Sequence, residues 1–376
     1  MQGCSGTGNV AFSDAIITPD VASHLEQYDS LMANEDMDII QRYEKKDIRR
    51  VSKLGEGCFS NVFLVVGQSE QKKMALKCLD HNKIRSPQEF LSASRDLICE
   101  ANMLAQLEHP NIVKLHGVCT TSISESYLQD GEGYFMVLDV MQVTLKDRLR
   151  IWRNDPQSYK KRGLASRLMN KGHSQEKLDQ DEMMDRINSV AYGVAEAMSC
   201  VHKRDIIMRN LAPDNIGFNE TTGKVCLFDF GSARYLEDGD DAAINGSPNY
   251  MAPEVMRAGG YSFASDVYSF AMIMYEICTL RKLTPRANKP FTIHHGTGGA
   301  LPRQSGFDSR PSLECIPSRD TQYLIEDCWC SDPQLRPSFE QISRAISEVV
   351  LGKENHGGNY SQSDERTVTS ESEAHI

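Results

Sequence analysis

The chain lacks any apolar run approaching the roughly 20 residues that a bilayer-crossing helix requires, so no membrane span is expected. Residue 2 is Gln, which removes an N-terminal myristoyl signal. The opening "MQGCSGTGNVAFSDAIITPD" also lacks the basic start and apolar run of a secretory leader. Basic charge is in short supply: 41 Lys and Arg against 52 Asp and Glu give a formal net charge of -11. With no basic excess to face a phosphate backbone, nucleic acid is not expected as the main partner. The 11 cysteines lack a paired framework, the nearest two being Cys328 and Cys330. Together these absences point to a protein of a reducing compartment, the cytoplasm or alternatively the nucleus.

What is present is ordinary for a soluble globular chain: 376 residues, 40% hydrophobic and 25% charged, enough for a sizeable core. Residues 1–45 mix small, polar and acidic types and read as a flexible lead with a possible docked helix. From Val51, alternating apolar residues around a glycine turn ("VSKLGEGCFSNVFLVV") and then "KKMALKCLD" spell a hairpin and a third strand. "EFLSASRDLICEANMLAQL" carries Leu97, Ile98, Met103, Leu104 and Leu107 at helical spacing and stops before His109-Pro110. Two more strands follow in "NIVKLHGVC" and "GYFMVLDVM". Past Leu145, wide apolar stripes mark a run of helices. A polar, basic stretch over about 152–180 reads as an insertion looping off this helical part. The last 25 residues contain almost nothing to bury and read as disordered. There is no internal repeat.

Several residues carry chemistry. Gly55 and Gly57, between two strands, would let backbone approach a phosphate closely, because glycine has no Cβ. A tight hairpin without a ligand explains them as well, since Ser60 stands where a third glycine would be expected. Lys77 lies on a strand among apolar neighbours, where an unpaired ammonium is costly to bury. It is either a snorkelling surface lysine or the partner of a carboxylate such as Glu100 on the following helix. In chain order the motifs run G-x-G-x-x-S-x-V from Gly55 to Val62, A-x-K from Ala75 to Lys77, Glu100, "MRNLAPDN" from Met208 to Asn215, "DFG" from Asp229 to Gly231, and "APE" from Ala252 to Glu254.

That order and spacing resembles the eukaryotic protein kinase domain over roughly Tyr43 to Leu351, and the ending "DCWCSDPQLRPSF" is most similar to the tyrosine-kinase-like group, whose members are often serine/threonine kinases. The resemblance implies an α+β bilobal fold over about 46–351. A β-rich N-lobe with one main helix would span about 46–141, and an α-helical C-lobe about 142–351. It also implies ATP with Mg²⁺ (Mn²⁺ as an alternative) and a protein partner or substrate. Gly55, Gly57, Val62 and Ala75 would border the nucleotide, and Lys77 would pair with its α and β phosphates and with Glu100. Leu138 would be the gatekeeper, Asp139 and Met141 would lie in the hinge beside adenine, and Asn215 and Asp229 would ligate the metal. Ser247 would lie near Asn210, Glu254 would pair with Arg336, and Asp266 would brace the catalytic loop.

The departures fall in that loop. Arg209 is kept, but Asn210 stands at the position of the catalytic Asp and Ala212 at that of the loop Lys. An amide oxygen is not a Brønsted base, and general-base help is typically worth about 10²–10⁴ in rate, so severe impairment is expected. Met208 would instead continue an apolar column with Leu104, Leu115 and Phe230. Gly217 would remove apolar surface from beneath the adenine. The acids Glu237, Asp238, Asp240 and Asp241 stand where a phosphorylated hydroxyl is common, so one could pair with Arg209; a solvated acidic loop is the other reading. The expectation is an ATP- and Mg²⁺-binding pseudokinase acting in signalling through a protein partner, the alternative being a slow Ser/Thr kinase.

Overall fold

A computed structural model describes residues 16, 18–68, 71–128, 133–154, 175–238, 246–258, 260–283 and 310–355. Its first half is built on a six-stranded sheet ordered β1-β5-β6-β4-β3-β2, comprising β1 (Gln41–Tyr43), β2 (Ile48–Glu56), β3 (Ser60–Gly67), β4 (Lys73–Leu79), β5 (Leu115–Cys119) and β6 (Phe135–Leu138). Only the β1–β5 pair is parallel. Directly opposite residues of an antiparallel pair share one face of the sheet. The register sets Gly55 opposite Val62, Val62 opposite Lys77, and Ala75 opposite Leu138. Since Ala75 and Lys77 are two apart on β4, all five residues share the face turned to the cleft.

Three helices flank this sheet: α1 (Pro19–Leu31), the single-turn α2 (Glu35–Asp38) and the long α3 (Pro87–Gln106). The start of α3 is set by Ser86, whose hydroxyl accepts from the Glu89 amide at 3.2 Å, and by Pro87 in the first turn, where a missing N–H costs nothing. Its buried residues Phe90, Ala93, Leu97, Ala101 and Leu104 recur every three or four positions. Glu100 is buried among them, a position where a carboxylate needs a cationic partner.

The second lobe is helical. The short α4 (Ile123–Leu128), between β5 and β6, still belongs to the first lobe and packs on α1; the second lobe contains α5 (Leu145–Asn154), α6 (Gln175–Arg186), a π-helical stretch Ile187–Tyr192, α7 (Gly193–His202), α8 (Pro253–Ala258), α9 (Phe263–Thr279), α10 (Arg319–Cys328) and α11 (Phe339–Asn355). Every residue of α9 from Ser265 to Cys278 is buried, so this helix is the axis around which the others pack. Two small sheets sit at its cleft side: β7 (Met141–Thr144) with β9 (Ile216–Asn219) and β10 (Val225–Leu227), and β8 (Ile206–Ile207) with β11 (Arg234–Tyr235).

Several expected boundaries move. The sequence makes residues 1–45 a flexible lead with a possible docked helix. From Thr18 it is instead two helices and a strand, with Val21, Leu25 and Met37 completely buried. Gly117 makes this possible, because a Cβ there would overlap the Gln41 carbonyl and the Tyr43 ring of the pairing strand. The insertion expected over 152–180 is narrower, since 152–154 complete α5 and 175–180 begin α6. Its remainder, residues 155–174, lies outside the described residues, as do Asp240, Asp241 and the tail from 356; α11 extends to Asn355, four residues into the segment expected to be disordered. Among the described residues no helix is long and apolar enough to cross a membrane.

Candidate functional site

The cleft between the lobes is organised by one cation and two carboxylates. Lys77 Nζ donates to Glu100 Oε2 at 2.6 Å and to Asp229 Oδ1 at 2.7 Å, so β4, α3 and the segment after β10 meet at a single ammonium. The other Glu100 oxygen accepts from the Phe230 amide at 3.2 Å. Burial works against the charge on Lys77, but Asp229 and Glu100 hold its pKa above the ordinary lysine range. The neighbouring ammonium also pulls Asp229 below the usual carboxylate range. Glu100 moves the other way: burial, with Asp229 adding like-charge repulsion, pushes it up to about 7 despite the lysine. Asp229 has φ 62°, in the left-handed region that non-glycine residues seldom occupy.

The glycine turn above this cluster is closed tightly. The Gly57 amide donates to the Ser60 carbonyl at 2.8 Å, and a Cβ on Gly57 would come within 2.6 Å of the Ser60 hydroxyl oxygen. Lys83, which nothing in the sequence singled out, donates to the Gly57 carbonyl at 2.9 Å and lies 3.6 Å from Glu56, itself paired with Lys53 at 2.5 Å. A Cβ on Gly55 would meet nothing within 4 Å, so that position leaves open space on the cleft face.

The hinge is held from both lobes. Asp139 accepts from His116 Nε2 at 2.7 Å and from Asn219 Nδ2 at 3.0 Å, while its own amide donates to the Lys114 carbonyl at 3.1 Å. Burial opposes its charge, but the hydrogen bond from His116 and the Lys114 amide hold it below the usual carboxylate range. Its side chain is thus spent on bracing the segment between β6 and β7. Gly217 also differs from expectation. A Cβ there would lie 2.9 Å from Met141 Cγ and 3.0 Å from Phe228 Cε1, so the space left by the missing side chain is filled by those two residues.

The loop from Met208 to Asn215 is held by a dense frame. The Asp266 carboxylate accepts from the Met208 amide at 2.8 Å, the Arg209 amide at 3.0 Å and His202 Nε2 at 3.0 Å. Arg209, buried and at φ 63°, lays its guanidinium over the Tyr261 ring at 4.8 Å. Asn210 Oδ1 accepts from the Ser247 amide at 3.2 Å, and the Asn210 carbonyl accepts from Asn215 Nδ2 at 2.8 Å. These bonds orient both amide groups, because only the Asn210 oxygen can accept from a backbone N–H and only the Asn215 NH₂ can donate to a carbonyl. The side-chain oxygens of Asn215 and Asp229 are hard donors of the kind that suits Mg²⁺. Among the described residues no three His, Cys, Asp or Glu side chains cluster as a metal site, so a metal here would need further oxygens from a bound phosphate. Ala212 is fully buried, and Met208, Leu104, Leu115 and Phe230 are all buried. Lower in the lobe, Arg336 forms a forked pair with Glu254 at 2.6 and 3.0 Å.

Two lobes, a cleft lysine joined to carboxylates from a helix and from a DFG segment, and a braced loop ahead of it define the protein kinase fold. A model of the protein kinase domain matches residues 48–345, and the chain belongs to that family. The serine/threonine-protein kinase CTR1 of Arabidopsis thaliana is 28% identical over 311 residues, covering 81% of this chain and 32% of its own. The dual specificity testis-specific protein kinase 2 of Mus musculus is 27% identical over 311 residues, covering 79% of this chain and 44% of its own. The dual specificity protein kinase pyk3 of Dictyostelium discoideum is 28% identical over 301 residues, covering 79% of this chain and 18% of its own. The chain spans less than half the length of these relatives.

Proposed function

We propose that the chain is a pseudokinase that takes ATP with Mg²⁺ in this cleft and signals through a protein partner. The observation that carries the reading is Asn210, whose oxygen is taken up by the Ser247 amide. Its other terminal group is an NH₂, a donor with no lone pair available for a proton, so it can orient a substrate hydroxyl but cannot deprotonate it. Ala212 adds no positive charge to offset a transferring phosphoryl group. Lys77, held by Glu100, would engage the α and β phosphates, and Asn215 and Asp229 would hold the metal. When bound, ATP and Mg²⁺ supply the phosphoryl group and the neutralisation of its charge. Nucleotide binding would then favour one arrangement of the lobes, which a partner reads.

A second reading, a slow kinase acting on Ser/Thr hydroxyls, draws on the assembled Lys77–Glu100–Asp229 cluster, because phosphoryl transfer depends largely on positioning and electrostatics. The names of the relatives agree with either reading. The deciding assay is transfer from γ-labelled ATP by purified protein with Mg²⁺ and then Mn²⁺, onto itself and a basic substrate, with Lys77→Met as control. The pseudokinase reading expects ATP-dependent thermal stabilisation without label above the control. Label that disappears in the control would overturn it in favour of the slow kinase.

A further inference from the structure

The lead does more than cover the sheet. Helix α3 presents Glu100 to Lys77 on one side, and Asn102, two residues on and so about 200° around the helix, on the opposite side. Leu91 and Asn102, eleven residues apart and therefore on one face, are where the lead attaches. Tyr28 Oη donates to the Leu91 carbonyl at 3.3 Å, Asn34 Nδ2 donates to Asn102 Oδ1 at 3.0 Å, and Asn102 Nδ2 donates to the Leu31 carbonyl at 2.7 Å. These contacts span most of α3 and sit over the fully buried Val21, Leu25 and Met37.

The lead is itself anchored elsewhere. The Asp29 carboxylate accepts from the Ile123 amide at 2.5 Å and from the Ser124 hydroxyl at 2.5 Å, at the first turn of α4. Helix α4 in turn sets Tyr127 edge-on against Phe90 of α3, with ring centroids 5.0 Å apart. Strand β1 adds a backbone tie to β5 over Gln41–Tyr43. Helix α3 is thus gripped from behind by a segment fixed at two independent points, with Glu100 held toward the cleft.

We propose that Tyr28, Asp29 and Asn34 are positioning residues for the Lys77 site: by clasping the back of α3 they keep Glu100 within reach of Lys77. The proposal rests on the reading that Lys77 takes the nucleotide phosphates. If the lead is released, α3 loosens, the ammonium loses one of its two carboxylates, and the phosphate part of nucleotide affinity falls while the base part does not.

The test uses the full chain with Asp29→Ala and Asn34→Ala combined, both half-buried positions; Asn34→Ala also removes the cap on the Met37 amide, so Asp29→Ala is measured alone as well. Amide hydrogen exchange reports on α3, with α9 as internal control, and affinities are measured for ATP with Mg²⁺ and for adenosine. We expect faster exchange in α3 alone and about a ten-fold loss of ATP affinity, within the usual range of coupling between sites, with adenosine unchanged. The Asp29→Asn variant, which keeps an acceptor oxygen, should recover most of the loss. In a Lys77→Met background the same pair should cost ATP affinity nothing further, since the clasp acts through that lysine.

Unchanged exchange in α3, equal losses for ATP and adenosine, or losses additive with Lys77→Met would each overturn the proposal. A parent protein that binds neither ATP nor adenosine would sink the nucleotide reading instead. Hydrogen exchange in α3 would then decide alone whether the lead positions Glu100.

Discussion

The two sides of the cleft treat charge in opposite ways. On the N-lobe side, Lys77 and Glu100 are nearly fully buried, and the ammonium is gathered with the ionisable carboxyls of Glu100 and Asp229 at 2.6 and 2.7 Å. On the C-lobe side, the loop from Met208 to Asn215 keeps its backbone path, its arginine and its Asp266 brace, but Asn210 and Ala212 carry no charge. The shape of a catalytic loop and its electrostatics are therefore held by different atoms. Asp266 and the Ser247 amide set the shape, and an asparagine satisfies that frame as well as an aspartate, being almost the same size. The chemistry depends on the lone pairs and charge that only the acid has.

Restoring the charge without touching the frame is the most direct way to sharpen this contrast. Asn210→Asp should raise transfer from labelled ATP by about 10²–10⁴ if the missing base is the main defect. No gain would break the contrast by showing that the rest of the cleft has also lost function. The converse substitution attacks the frame: Asp266→Ala leaves the buried Met208 and Arg209 amides without their acceptor, at about 1–3 kcal/mol each. Urea unfolding should show a loss of that combined size, whereas Asn210→Asp should leave stability nearly unchanged.

A smaller effect is expected at Gly217. Gly217→Leu would force its side chain into Met141 and Phe228, an overpacking worth about 1–3 kcal/mol. Calorimetry should show a lowered Tm that Met141→Ala partly restores. Failure of that rescue would mean the floor is not built by Met141.

The smallest expected effect concerns the N-lobe cluster and pH. Glu100 is raised from an ordinary 4.5 to about 7, so the folded protein holds a proton that the unfolded chain releases. Its contribution to stability is therefore greatest at low pH and declines as pH climbs through that interval. Asp229, whose pKa is lowered, has the opposite sense and loses its contribution as pH falls through its folded value. Glu100→Gln removes only the first of these. The Tm of the variant relative to the parent should rise between about pH 4.5 and pH 7, and a flat difference would show that Lys77 fully offsets the burial of Glu100.

Much of the site was legible in the sequence because its parts obey local rules. Gly57 is required where Ser60 closes the turn, Lys77 sits amid apolar neighbours that leave it little water, and Glu100 falls within the apolar spacing Leu97–Leu107 that marks a helix. The catalytic loop's losses were equally plain, since Asn210 and Ala212 are single-letter facts. Other parts were not legible. Nothing local distinguishes Lys83 from any exposed lysine, or Asn102 from any polar residue on the outer face of a helix. Their partners, Gly57 and Asn34, lie 26 and 68 residues away. The lead reads as polar and weakly patterned because Val21, Leu25 and Met37 cover only a narrow stripe, enough to pack onto α3 but too little to form a core alone.

The sequence by itself determined the chemistry of each candidate group: which side chains can hold charge, which can ligate a hard cation and which cannot accept a proton, because these are properties of the residue and not of its place. Only the tertiary structure decided which of those groups meet. It spent the Asp139 carboxylate on His116 and Asn219, filled the space at Gly217 with Met141 and Phe228, and set the lead behind the helix that carries Glu100. Each of these outcomes is a competition among partners distant in the chain, settled by burial and by the requirement that buried polar atoms be paired.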